Sequence, residues 1–206
     1  MDSKKLKEWE KAFLKLYPKG FQDPEMVELG KKHKMSKLIE FAQESFKKSK
    51  FSDPEDIMNS YVKMVTRSSM VSLFEKPKFR DFVKSLNFEQ KKKISSALKS
   101  ILHGSEKKGF EILVDELRAF KLAKWTLVTV VQAYYRPDFD VFIKPTTAKG
   151  VIKNLEVSEL VYKPAPSYEF YLGYREEIAK MKKKVRKSLS PSNAAFCGFL
   201  MMSFPT

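Results

Sequence analysis

The residue pattern of this chain specifies a mainly α, compact multi-helix domain, and three observations carry that expectation. Apolar residues recur at spacings of three and four along most of the chain. Asp-Pro pairs at 23–24 and 53–54 have the form of a helix cap followed by proline at the first helical position. Only 7 glycines occur among 206 residues, too few for the turns of a β-rich fold. The length fits one domain, 1–206, with a candidate subdivision near residue 122 into a helical portion, 1–122, and a C-terminal portion, 123–206. At 43% hydrophobic and 32% charged, the composition is that of a globular chain.

The elements follow in order. Leu6, Trp9, Phe13, Leu16 and Tyr17 give a first helix, ended by Pro18 and Gly20. Asp23-Pro24 opens a short helix through Met26, Val27 and Leu29. Ser36 is placed to cap the next, with Leu38, Ile39, Ala42 and Phe46 inward. Asp53-Pro54 starts a helix carrying Ile57, Tyr61, Met64 and Val65. Phe79, Phe82, Val83 and Leu86 suggest a short helix after Pro77. Asn87 with Gln90 resembles a capping box before Ile94, Ala97, Leu98, Ile101 and Leu102, and Gly104 stands at its C-terminal end. Ser105 can start a helix with Phe110, Leu113, Val114 and Leu117 inside.

Residues 125–135 are apolar and β-branched, so propensity favours a strand. Their helical neighbours favour a buried helix, which is the preferred reading. Phe139, Val141 and Ile143 alternate with polar Asp138 and Asp140, a pattern that Phe142 breaks, and Leu160-Val161-Tyr162 can pair with them. This leaves room for a small two-stranded β element in the C-terminal third. Pro145-Thr146-Thr147 begins a further helix. From Ser167 a long helix is expected, with Phe170, Tyr174, Ile178, Met181, Val185 and Leu189 as its inner stripe. Ser190-Pro191 stops it, and the apolar segment 194–202 should be buried.

Four segments of the C-terminal third carry a resemblance. Trp125-Thr126 with its apolar run, Phe142-Ile143-Lys144-Pro145-Thr146, Tyr162-Lys163-Pro164-Ala165-Pro166-Ser167-Tyr168 and Leu189-Ser190-Pro191-Ser192-Asn193 resemble an uncharacterised bacterial protein family. The resemblance implies a bacterial, cytosolic origin. It implies no activity and no functional residue.

The formal net charge of +15 is the extreme bulk property. It suits a polyanionic partner, either nucleic acid or an acidic protein. It also suits the codon usage of an AT-rich genome, because the cations are mostly Lys. Only Arg67, Arg80, Arg118, Arg136, Arg175 and Arg186 are Arg, the residue that reads phosphates and bases bidentately. Two basic clusters are candidate nucleic-acid contacts: Lys91, Lys92 and Lys93, and Lys180, Lys182, Lys183, Lys184, Arg186 and Lys187. The first lies in the opening turn of its helix, where cations oppose the helix dipole.

Motifs for chemistry are sparse. His33, His103 and Cys197 lack the spacing of a metal site, so no metal or cofactor is expected. No nucleophile elbow, Walker A loop or dinucleotide fingerprint occurs. One cysteine without a leader or an apolar span points to the cytoplasm. The most polar interruption of an apolar region is Arg136, Asp138, Asp140, Lys144 and Lys149, a candidate pocket at 136–149. Three functions follow. A non-catalytic interaction or structural protein predicts scattered lysines and an exposed apolar patch. A non-specific nucleic-acid-binding module predicts both Lys clusters on one face. An enzyme of unrecognised type predicts a deep pocket near 136–149.

Overall fold

The computed structural model describes residues 1–205 and contains, among them, eleven α-helices and no β-strand. The helices are α1 (Ser3–Leu16), α2 (Pro24–Lys32), α3 (Met35–Ser45), α4 (Pro54–Arg67), α5 (Glu75–Ser85), α6 (Phe88–His103), α7 (Glu106–Arg118), α8 (Trp125–Tyr135), α9 (Pro145–Asn154), α10 (Tyr168–Lys182) and α11 (Asn193–Met202).

Capping chemistry sets several starts. Asp53 accepts from the backbone N–H groups of Glu55 and Asp56, and Pro54 occupies the position whose N–H would be unpaired. Asn87 and Gln90 bond reciprocally at the start of α6. Ser167 caps α10 and Ser192 caps α11. Ser36 caps nothing. Helix α3 begins before it because Lys34 adopts a left-handed conformation (φ 53°) and its carbonyl already accepts from Leu38. Helix α5 starts ahead of Pro77, which the first turn tolerates because the missing N–H has no partner there.

The apolar helix α8 lies at the centre. Every residue of it except Tyr135 is buried, so β-branched propensity yields to a site with no room for a polar face. It packs against α3, α4 and α7. The Tyr61 hydroxyl donates to the Leu127 carbonyl at 2.6 Å, and Ser68 and Tyr134 share a hydroxyl pair at 3.1 Å. Apolar side chains from both sides of residue 122 join one buried cluster.

The expected β element is absent. The backbone of 139–143 is satisfied by α8 instead of a partner strand: Phe139 and Asp140 donate to the Arg136 carbonyl, and Ile143 donates to the Thr129 hydroxyl at 3.1 Å. Near 160–163 the Leu160 N–H turns back to Val157, and the Lys163 carbonyl accepts from the Trp125 indole at 2.8 Å. The alternation in the sequence reflects burial of Val141 and Ile143 in a loop, while Phe139 is exposed.

Helix α10 also stops earlier than its apolar stripe. The Arg186 N–H bonds the Glu10 carboxylate at 2.7 Å rather than continuing the helical ladder, so 183–187 leaves the axis and runs along α1. Val185 and Leu189 are still buried, but from a turn. Gly20 is required on this path: it has φ 61°, and a Cβ there would lie 2.5 Å from the Ser188 carbonyl.

The tightest helix contact is the α6–α7 hairpin. A Cβ on Gly109 would approach the Ala97 carbonyl at 2.6 Å and the Ile101 nitrogen at 2.7 Å, both rigid backbone. Gly30 in α2 has nothing within 4 Å of the same position. Gly109→Ala should therefore destabilise the protein by about 2 kcal/mol or more, through forced separation of the hairpin. Gly30→Ala should stabilise it by about 0.5–1 kcal/mol. Urea unfolding of both variants checks the contrast.

Candidate functional site

Four charged side chains converge between α7, α8, α10 and the 136–144 loop. Arg175, on the otherwise apolar inner stripe of α10, grips Glu106 with both guanidinium nitrogens, at 2.7 and 2.9 Å. It also reaches Asp140 at 3.0 Å. Arg136 bonds Asp140 through Nε and Glu106 at 3.1 Å. Tyr171 donates to Asp140 and Tyr168 donates to Glu106, at 2.7 and 2.8 Å. Phe139 lies against both guanidiniums, 4.3 Å from Arg175 and 5.3 Å from Arg136. Asn193 at the start of α11 closes the set by donating to the Asp140 carbonyl at 3.0 Å.

Two cations face two carboxylates, so the charges cancel locally. Burial pushes the Asp140 carboxyl above the usual carboxylate range, against the pull of Arg136. Burial pushes Glu106 up as well, but the hydrogen bonds from Arg175 and Tyr168 outweigh it and hold its carboxyl low. The opposed directions resemble an acid–base pair. Access decides otherwise: the Asp140 side chain is 0% exposed. A surface cavity reaches Tyr168 at the margin of the cluster and another lies beside α2, and none of the four charged residues lines either one. The cluster is a staple that fastens α7, α8, α10 and α11.

Of the pocket expected at 136–149, the structure brings together Arg136 and Asp140 only. Asp138 and Lys144 are exposed, and Lys149 lies over the Tyr162 ring at 5.2 Å. Sequence reasoning missed Glu106 and Arg175. The available signal was an arginine four residues after Tyr171, on the apolar face of the long helix.

The basic clusters differ from one another. At the start of α6, Lys91 pairs with Glu55 at 2.8 Å, Lys93 with Glu116 at 2.6 Å and Lys92 with Glu89 at 4.0 Å. In the last turn of α10, Lys180 pairs with Glu177 and Lys182 donates to the Asn193 amide oxygen, both at 2.6 Å. Partial burial holds the Lys182 ammonium below the ordinary lysine value. Lys183, Arg186 and Lys187 are exposed, and Lys184 donates to the Ser3 hydroxyl at 2.7 Å. The two clusters are not brought together. Glu116 and Glu106 stand about 15 Å apart along α7. Lys93 contacts the first, and α10 runs past the second before reaching Lys182.

The structure adds two surfaces. Helix α1 lies beside 183–188 and carries exposed Lys4, Lys7, Lys11 and Lys15 at spacings of three, four and four, on its solvent face. At the other end of α1, a groove of about 540 Å³ is lined by Tyr17, Met26, Leu29 and Met202, with Glu25, Glu28 and Lys32 at its edge. Leu16, Val27 and Met201, chain neighbours of lining residues, are exposed.

Among the described residues no group of three potential metal ligands occurs. No helix is long and apolar enough to cross a membrane. Comparison of the chain with known protein families, curated proteins and solved structures finds no match.

Cys197 is partly exposed, and desolvation pushes its thiol up to about 12. At pH 8 it should react with a disulfide reagent more slowly than a free thiol does, and at the full rate of a free thiol in denaturant. Glu106 supports a second expectation. Its folded carboxyl titrates below its ordinary value of 4.5, so the stability it contributes is complete above that value and is lost as pH falls through the lowered one. The stability gap between the native protein and Glu106→Gln should be widest above about pH 6 and should close in acid, as followed by chemical unfolding at stepped pH.

Proposed function

We propose that this protein is a non-catalytic interaction protein that docks the apolar face of an acidic amphipathic helix from a partner. The observation that carries the reading is the groove between the end of α1, α2 and the end of α11. Most of its lining is apolar, with Met26 and Met202 among it, and methionine adapts its shape to an incoming side chain. Exposed Leu16, Val27 and Met201 extend the apolar area beyond the groove itself. A helix that lays its apolar stripe into such a groove uses anchors at helical spacing.

Charge selects the class of partner. Lys19, Lys31, Lys32 and Lys34 are exposed around this end of the molecule, and the chain as a whole is +15. Glu28 is occupied by Lys31 at 2.6 Å, which leaves Glu25 as the carboxylate at the edge without a recorded partner among the described residues. An acidic polar face on the partner is attracted to this rim, and a basic one is repelled. A catalytic reading has less support, because the Asp140 side chain is fully buried and none of Glu106, Arg136, Asp140 and Arg175 lines either surface cavity.

The test uses two labelled synthetic helices with the same apolar stripe, one with an acidic polar face and one with a basic face. The acidic peptide should bind and the basic one should not. Leu16→Glu and Met202→Glu, both at exposed positions, should weaken binding at least tenfold, since each removes about 1.5 kcal/mol or more of apolar burial. Equal binding of both peptides, or binding indifferent to Met202→Glu, would overturn the reading.

A further inference from the structure

A second surface lies on the opposite flank of α1, and it is independent of the groove. Helix α1 buries Leu6, Trp9 and Phe13 on one side. A helix advances about 100° per residue, so Lys4, Lys7, Lys11 and Lys15 fall together on the opposite, solvent-facing side. Along the edge of this stripe runs the chain segment that leaves α10. Three contacts hold it there: Lys184 on Ser3, the Arg186 N–H on Glu10, and Ser188 against Gly20. They place exposed Lys183, Lys184, Arg186 and Lys187 beside the lysines of α1. Two cationic rows far apart in the sequence thus become neighbours.

The rows are not neutralised from within. Among the described residues only Lys7 of these eight cations pairs with a carboxylate, that of Glu10. Glu10 is itself buried, where it also accepts the Arg186 N–H. The one exposed carboxylate on α1 is Glu8, which forms no recorded ion pair among the described residues. By contrast, the three lysines at the start of α6 each have an acidic partner. Like charges this close repel one another, which costs stability unless a polyanion lies across them.

We propose that the face built from α1 and residues 183–187 binds the phosphate backbone of nucleic acid without reading base sequence. The α1 row spans about 16 Å. That length covers about five phosphates of one strand at 3.4 Å of axis each. The cations are lysines apart from Arg186. They act as point charges and lack the fork that reads a base edge. The aromatic residues of α1, Trp9 and Phe13, are buried, so this face offers no stacking platform. The same burial argues against a membrane surface. A helix at a lipid interface inserts its apolar side, and the apolar side of α1 is spent on the core.

The experiment is a salt titration of binding to a labelled duplex, between about 50 and 200 mM, with the full-length protein. The log–log slope for about five phosphates should be about −4.5, a loss of some 500-fold across that range. The triple variant Lys4→Gln, Lys11→Gln, Lys15→Gln should bind more weakly and flatten the slope by about 2.7. Lys183→Gln with Arg186→Gln tests the second row in the same way. The control is Lys91→Gln, Lys92→Gln, Lys93→Gln, which removes the same charge from the other end of the molecule and should leave the slope unchanged. All substituted side chains but Lys91 are exposed, and thermal melts confirm folding. Scrambled and unscrambled duplexes should bind alike. The proposal is overturned by no binding at about 50 mM, by equal weakening in the α1 triple and the α6 triple, or by retention on phosphatidylserine vesicles without retention on nucleic acid. Met202→Glu should leave the slope untouched, which separates this face from the groove.

Discussion

The Arg175 guanidinium sets the terms for the middle of this molecule. It stands on the inner side of α10, between Tyr171 and Ile178, where the helix presents mostly rings and aliphatic chains to the core. A cation there loses most of its hydration. The loss is tolerable only because Glu106 meets it with a bidentate carboxylate and Asp140 with a second acceptor. Those acids in turn need Arg136, Tyr168 and Tyr171, since each carries more lone pairs than one arginine can satisfy. The need to satisfy one buried charge thereby dictates where the start of α7, the end of α8, the following loop and the start of α11 must lie. Replacing the whole set by apolar side chains is not obviously worse for stability. What the set supplies is geometry: an ion pair is satisfied in one arrangement, whereas an apolar contact tolerates sliding.

The helices were legible because their signals are local. Asp53-Pro54 and Asn87 with Gln90 cap from within four residues, and the apolar stripes of α4, α6 and α7 need no distant information. Errors fell where a distant group decides. Nothing near residue 183 announces that α10 will end, because the group that takes the Arg186 N–H is Glu10. Nothing near 139–143 reveals that its backbone will be satisfied by α8. Arg136 and Asp140 could be picked out as a polar break in an apolar stretch, and they are half of the buried cluster. Their partners Glu106 and Arg175 sit in helices whose patterns look complete without them.

Surface charge shows the same division. Lysines at 91–93 form a conspicuous run, yet acids from α4, from α7 and from α6 itself answer them. Those of α1 are interleaved with other residues over about three turns and draw less attention in the linear chain. Only the winding of the helix gathers them, and only the path of 183–188 doubles them. A basic cluster in a sequence is therefore a weaker guide to an exposed positive face than the spacing of isolated lysines opposite an apolar stripe.

The clasp between α1 and the segment after α10 also orders events during synthesis. Glu10 and Arg186 are 176 residues apart. At about 5–20 residues per second, some 10 to 35 s separate their appearance from the ribosome. Through that interval Trp9 and Phe13 lack their C-terminal neighbours, Phe204 and Phe199, to rest against. Helix α1 is thus made well before its neighbours and housed only after them. Its exposed lysines repel other chains of like charge while its inner side waits.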